Sequence, residues 1–369
     1  MSQRADVDWR RFLPQPRGET VNGNSVFAHA GRSVLVTGAG GSIGSALVKA
    51  LARAGVERLV LLDSSEAGLF ELQNQLAATS REVSCEAVLG SIDDAGVLDS
   101  VFTRHRIDLV YHAAAWKQVP LLESNPFSAV RNNSIGTHTL AEAALRFGVP
   151  QLVLISTDKA VNPHSMMGVS KRVAERAVVS LSSARCRMNG IRLCNVIGSS
   201  GSVVPIFLRQ IAERMPVTVT DRQASRWFLT AQESVEAILG CGASTQEGRI
   251  FLPHVGEPVR VADLAQFLIR SATNGAPAEV AYIGLRPGEK LTEEMVFEHE
   301  RNVGMEGCLT VVETPKLSAG DLSALIGELS ACIRLRDLPG LLRIMQRVVP
   351  EYVPSVQVLR QAATTVISA

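Results

Sequence analysis

Paired cysteines are missing from this 369-residue chain. Its six cysteines (Cys85, Cys186, Cys194, Cys241, Cys308, Cys332) are scattered, with no CxxC pair. That pattern excludes a disulfide framework or a zinc–thiolate site and reads as reduced thiols. Metal-ligand spacing is missing among the seven histidines as well, so no metal is expected. No uninterrupted apolar run approaches the roughly 20 residues of a membrane helix, and the charged N-terminus lacks a signal-peptide core. The expectation is a soluble cytoplasmic protein with no membrane segment. Net charge is nearly absent at +1, which removes any electrostatic reason to expect a nucleic-acid partner. What the chain does have is apolar content, 46% against 20% charged, enough for one large or two interleaved domains. Residues 1–30 carry proline, glycine, asparagine and charge without a period, and read as an arm touching the core at Trp9, Phe12 and Leu13 at most.

The stretch RSVLVTGAGGSIGSALVKALARAG (32–55) opens as a short apolar strand, Val34-Leu35-Val36, of the kind buried in a parallel sheet. It turns through glycines into an amphipathic helix with Leu47, Val48 and Leu51 on one side. Gly38, Gly41 and Gly44 give G-x-x-G-x-x-G with an extra Gly40, and Ile43 stands where the third glycine of a dinucleotide fingerprint would fall. The physics is unchanged: Gly38, Gly41, Ser42, Ile43 and Gly44 let backbone approach a pyrophosphate seated on a helix N-terminus. A second strand, RLVLLD, ends in Asp63, whose carboxylate can accept both ribose hydroxyls of NAD and would repel the 2′-phosphate of NADP. The following SSEAG offers no arginine for that phosphate, so NAD is the expected cofactor. Third and fourth strands, in EAVLGSIDD and DLVYHAAAWK, bring Ser91, Ile92, Ala113 and Ala114 toward it. The fold class is therefore α/β, a Rossmann-type doubly wound parallel sheet with a smaller C-terminal substrate-binding domain.

QLVLISTDKA reads as another buried strand, whose carboxyl end delivers Thr157, Asp158 and Lys159 to the side where open α/β sheets bind ligands. A helix follows, with Lys171 expected to hold the nicotinamide ribose and Met167 four residues before it.

With these segments in view the chain resembles the bacterial UDP-N-acetylglucosamine 4,6-dehydratases of polysaccharide biosynthesis, within the extended short-chain dehydrogenase superfamily. The resemblance runs from about residue 31 to 355 through VTGAGGSIGS, AAAWKQVPLLESNP, NNSIGT, STDKAVNP, NVIGSSGSVVPIF, VTVTD, GLRPGEKLTEE and VPEY. DWRRFLPQP resembles the linker that follows the membrane anchor in longer members, implying a version without that anchor or a cut-down one. Two departures stand out. Ser91 occupies a place where the superfamily commonly has an aspartate facing the adenine, and Met167 occupies the place of its usual tyrosine, as in one branch of the family.

The resemblance implies an NAD-dependent lyase that produces a UDP-4-keto-6-deoxy sugar, with C5 configuration retained in the methionine branch. In it Thr157 orients O4, Asp158 protonates the leaving C6 hydroxyl, and Lys159 is the base at C5. Such a lysine would have to fall from about 10.4 to near 7, ~4 kcal/mol, through desolvation and neighbouring cations. Met167 contacts the sugar or nicotinamide without chemical action. Lys117, Asn195, Val204, Arg226, Arg286 and Glu289 would face the UDP-sugar, the two arginines as forks for the diphosphate. The expected organisation is a Rossmann domain over 31–198 and a nucleotide-sugar domain with C-terminal helices over 199–369, with segments near 226–255 returning to the sheet. Helices near 125–147 and 167–184 would form a dimer interface. Two other readings are a C4-epimerase, which has no leaving group to protonate, and a non-catalytic NAD-binding protein.

Overall fold

The computed structural model describes residues 28–79, 83–273 and 278–367, together with Val7, Trp9, Phe12 and Leu13. Most of the arm over 1–30 thus lies outside the described residues. Six strands alternate with helices through the first half of the chain: β1 Ser33–Thr37, β2 Arg58–Asp63, β3 Ser84–Leu89, β4 Leu109–His112, β5 Gln151–Thr157 and β6 Arg187–Leu193. Short strands follow: β7 Asn195–Val196, β8 Val217–Val219, β9 Ser225–Arg226, β10 Phe228–Leu229, β11 Ile250–Pro253, β12 Val259–Arg260, β13 Val280–Tyr282, β14 Arg301–Glu306 and β15 Leu309–Glu313. The main sheet runs β14-β15-β11-β6-β5-β4-β1-β2-β3. Its seven strands from β11 to β3 are parallel; β15 is antiparallel to β11, and β14 pairs antiparallel with β15 at the edge. Strand order reverses between β1 and β4, the crevice where such sheets take ligands.

The central strands are apolar throughout because helices cover both faces. Val34 and Val36 point into one core with Leu47, Val48 and Leu51 of the Ser42–Arg53 helix and Ile238 of the Ala231–Ala243 helix. Leu35, Val60 and Leu62 point into the other, with Leu98, Val101 and Leu140. The period-2 alternation of a strand is thus spent on two cores at once. Outside the sheet, Val204, Phe207, Val217, Leu264 and Leu268 build a smaller apolar cluster. Trp9, Phe12 and Leu13 pack against it, and the Phe12 ring stacks on Phe267 with centroids 4.7 Å apart.

Two features were not anticipated from sequence. The β14–β15 hairpin extends the Rossmann sheet beyond β11. Three C-terminal helices, Ala319–Leu335, Leu338–Val348 and Val356–Ile367, pack on the Rossmann side and not on the small cluster. Leu325, Leu329, Leu341, Leu342 and Met345 join Val130, Met166, Met167, Val169 and Val173 in one core. Each such side chain contributes ~1.5–3 kcal/mol when fully buried. The Met166–Leu181 helix, expected at a dimer interface, has every residue from Met166 to Glu175 buried within the single chain, and its own C-terminal helices pack against Met166, Met167, Val169 and Val173.

Candidate functional site

The glycine loop joins β1 to the Ser42–Arg53 helix. Gly38 has φ +68°, and a Cβ there would meet the backbone of Ala113 and Ala114 within 2.7 Å; at Gly44 it would lie 2.0 Å from the Gly38 carbonyl. These glycines pack loop, helix and β4 exit together, which brings Ala113 and Ala114 beside the loop. The helix start at Gly41 has no side-chain cap and no acidic residue in its first turn, so its N-terminal field is left for an anion. Asp63 ends β2 with one oxygen accepting the Gly40 amide at 2.8 Å and the other the Ser65 amide at 2.9 Å. It therefore fastens the loop while each oxygen keeps a lone pair. Ile92 is buried and Ser91 half-buried at the end of β3, where Ile92 touches the Gly136 position.

Ser42 also meets the loop after β7. The Ser200 amide donates to Ser42 Oγ at 2.9 Å, and Lys117 Nζ donates to Ser199 Oγ at 3.3 Å. A cavity of about 2390 Å³ passes Gly40, Gly41, Ser42, Ser199 and Ser200, with the buried Val204 in its wall, but does not reach the end of β5.

At that end the chain turns sharply through Asp158–Ala160. Asp158 is fully buried; its Oδ1 accepts from Thr157 Oγ1 and from Lys159 Nζ, both at 2.9 Å. Asp158 Oδ2 is buried with no hydrogen-bond partner among the described residues. Lys159 Nζ also donates to Asn195 Oδ1 at 3.1 Å and lies 3.7 Å from Glu293 Oε1. Burial pushes the lysine pKa down, but the charges of Asp158 and then Glu293 outweigh it, and the result lies above the usual 10.5. This corrects the expected depression: two carboxylates hold the ammonium, where cations had been expected to expel its proton. Glu293 was missed because nothing in its local sequence separates it from Glu294.

Lys171 is 3% exposed and donates to the Ile155 carbonyl at 2.9 Å. Burial lowers it to about 8, against the pull of Glu175. Met167 is 4% exposed within the C-terminal helix core. Behind them His112 is neutral by its bonding. Thr137 Oγ1 donates to the Asn133 carbonyl at 2.7 Å, so it accepts from His112 Nε2 at 2.8 Å, leaving Nδ1 to accept from Thr37 Oγ1 at 2.7 Å. Burial and the Lys171 charge hold this histidine well below its usual range.

Both expected phosphate forks have partners within the chain. The Arg226 guanidinium is 9% exposed and donates to the carbonyls of Ser225, Leu291 and Lys290 at 2.7–2.8 Å, pinning the 290–291 backbone to β9. Arg286 and Glu289, expected to take different parts of the nucleotide, pair with each other at 2.5 Å. Thr157, Asp158, Lys159 and Asn195 are thus brought together, while Lys117 and Ser42 meet at the glycine loop.

Residues 34–311 match the family described as polysaccharide biosynthesis protein. The chain belongs to that family. It is 39% identical over 273 residues to the capsular polysaccharide biosynthesis protein CapD of Staphylococcus aureus, and 39% identical over 273 residues to the probable polysaccharide biosynthesis protein EpsC of Bacillus subtilis. These matches cover 73% of this chain and 46% of each relative, so this polysaccharide biosynthesis family member spans about half the length of those relatives. It is 29% identical to a UDP-glucose 4-epimerase of Rickettsia rickettsii, covering 73% of this chain and 79% of the relative. Among solved structures, Pen from Bacillus thuringiensis superposes with TM-score 0.71 at 27% identity, over 78% of this chain and 88% of that one. A dTDP-glucose 4,6-dehydratase, DesIV of Streptomyces venezuelae, solved with NAD bound, superposes with TM-score 0.65 at 21% identity, over 79% and 94%. These superpositions bear out the α/β, Rossmann-like fold.

Proposed function

We propose that this family member is a nucleotide-sugar 4,6-dehydratase acting on UDP-N-acetylglucosamine for polysaccharide biosynthesis, with NAD as a recycled cofactor and retention at C5. The observation that carries this reading is the Asp158–Lys159 pair at the end of β5, an acid and a base side by side with a threonine hydroxyl on the acid. The uncapped helix start behind Gly38–Gly44, the lone pairs of Asp63 and the buried Lys171 suit the pyrophosphate, adenosine ribose and nicotinamide ribose of NAD. NAD supplies a hydride acceptor at C4 of the hexose and a donor at C6.

The chain's own residues handle the protons. Thr157 Oγ1, already bonded to Asp158, receives the O4 proton and passes its own to the carboxylate. The ketone formed at C4 acidifies the C5 hydrogen. Neutral Lys159 removes that proton while Asp158, now an acid, protonates the departing C6 hydroxyl, and water leaves. Lys159 returns its proton to the same face of C5, and carboxylate and amine are restored. The cycle needs Lys159 neutral at the outset, so turnover rises with pH until that lysine gives up its proton. No step requires a hydroxyl at position 167.

The test is to incubate the protein with NAD and UDP-N-acetylglucosamine in deuterated water and analyse the product by mass spectrometry and NMR. Loss of one water with deuterium at C5 supports the reading. Unchanged mass with C4 inverted supports an epimerase, the activity named for the Rickettsia relative. Recovery of unaltered substrate overturns both.

A further inference from the structure

Glu293 lies 135 residues beyond Asp158 and 134 beyond Lys159 in sequence, yet it stands beside Lys159. Its carboxylate is 4% exposed and stands among three cations: Lys290 Nζ at 3.2 Å, Lys159 Nζ at 3.7 Å and Arg226 Nε at 3.7 Å. Each has other attachments. Arg226 is spent on three carbonyls, and Lys290 Nζ donates to the Val161 carbonyl at 3.0 Å. Lys159 has two hydrogen-bond acceptors, Asp158 and Asn195, for the three hydrogens of its ammonium, and Glu293 Oε1 stands 3.7 Å away.

We infer that Glu293 is a positioning residue that acts on the reaction through Lys159: with Asp158 and Asn195 it fixes the amine at the end of β5 and sets how readily that amine releases its proton. This deepens the dehydratase reading, in which Lys159 must be neutral to take the C5 proton. Around Lys159 the charged groups are Asp158 on its own turn, Arg226 on β9, and Glu293 from the 286–300 segment; Cys194, after β6, also faces the pair. Lys290 and Arg226 also bear on Glu293, and His164 faces Lys290, Glu293 and Glu294. Glu293 is thus the one carboxylate of the group that reaches Lys159 from another segment, and Lys290 competes for it.

That competition gives a test with two signs. Lysines are reductively methylated with carbon-13 formaldehyde, the Lys159 signal is assigned through Lys159→Arg, and its chemical shift is followed with pH in the absence of substrate. Glu293→Gln should lower the Lys159 midpoint by about 1 unit or more, as expected for a carboxylate within ~4–6 Å. Lys290→Met should raise it, because Glu293 then loses its nearest cation and bears more strongly on Lys159. Glu293→Asp should restore most of the parent value. In turnover, the acidic limb of kcat/KM should move with the same signs. A midpoint unchanged in both Glu293→Gln and Lys290→Met, with both variants folded by circular dichroism, overturns the inference. If Glu293→Gln does not fold, Glu293→Asp and Lys290→Met still decide it. If the midpoints move but no dehydration is found, Glu293 keeps its role toward Lys159 and the dehydratase reading is what fails.

Discussion

The cluster around Arg192 and the cluster around Lys159 are both buried, both mix carboxylates with cations, and both link the β5–β6 edge to the segment before β14. In the first, all five N–H bonds of Arg192 are used, on Glu175, Glu300 and the Met295 carbonyl at 2.7–2.9 Å. Each oxygen of Glu175 and Glu300 accepts at least two bonds, from Arg192, Arg172, Ser156 and the Phe297 amide. Hydrogen bonds from Arg192 hold Glu300 down to about 2 in spite of burial. The Arg172 guanidinium lies 4.1 Å over the Phe297 ring. In the second cluster Asp158 Oδ2 has no partner among the described residues and Glu293 is beyond hydrogen-bond reach of Lys159. An unsatisfied buried acceptor costs ~1–3 kcal/mol. The difference teaches where the chain uses charge for structure and where it leaves charge available for a ligand's protons.

The sharpest way to break this comparison is to remove Arg192. Arg192→Met leaves two buried carboxylates short of their main cation and should cost ~3–5 kcal/mol in urea denaturation. A loss below about 1 kcal/mol would mean that the carboxylates are resolvated and the cluster is not structural. Asp158→Asn should do the reverse: turnover falls by about 10²–10⁴-fold while the melting temperature stays close to the parent's. Equal damage to stability and turnover would erase the distinction between the clusters.

Lys171 sits between the two, and its pH dependence sharpens the contrast. Its pKa drops from 10.5 to about 8 on folding, so between those values the unfolded chain binds a proton that the folded chain has lost. Stability attributable to this group therefore rises as pH goes from about 8 to 10.5, by ~3 kcal/mol in all. Subtracting the denaturation profile of Lys171→Met from that of the parent should reveal this rise; parallel profiles would show that Lys171 is better solvated than its burial indicates. The smallest effect belongs to Met167, which is in neither cluster. Met167→Leu should cost less than ~1.5 kcal/mol and keep near-parent turnover. A large loss of turnover would give the thioether a part in the chemistry.

Much of this was legible from local patterns. A strand that is apolar on both faces, as at Val34-Leu35-Val36, announces a covered parallel sheet, and glycines between a strand and a helix announce a tight, anion-facing turn. The polar tip Thr157-Asp158-Lys159 stands out after six apolar-to-neutral strand residues. Arg226, Arg286 and Glu289 show the limit of such reading: a guanidinium or carboxylate suits a backbone carbonyl or a neighbouring charge as well as it suits a nucleotide, and sequence does not say which is nearer. The same holds for the Lys159 pKa, whose direction depends on how the charges of Asp158 and then of Glu293, more than a hundred residues away, weigh against burial.

The sequence by itself determined the layered α/β architecture and the identity of the groups at the end of β5, because strand periodicity, glycine turns and neighbouring polar residues are local properties. Tertiary structure alone decided that the C-terminal helices cover the Met166–Leu181 helix, that Arg192 is sealed in a saturated cluster, and that Glu293 stands over Lys159. Those depend on which distant surfaces meet in space, and the balance of burial against charge that sets each group's behaviour exists only after they have met.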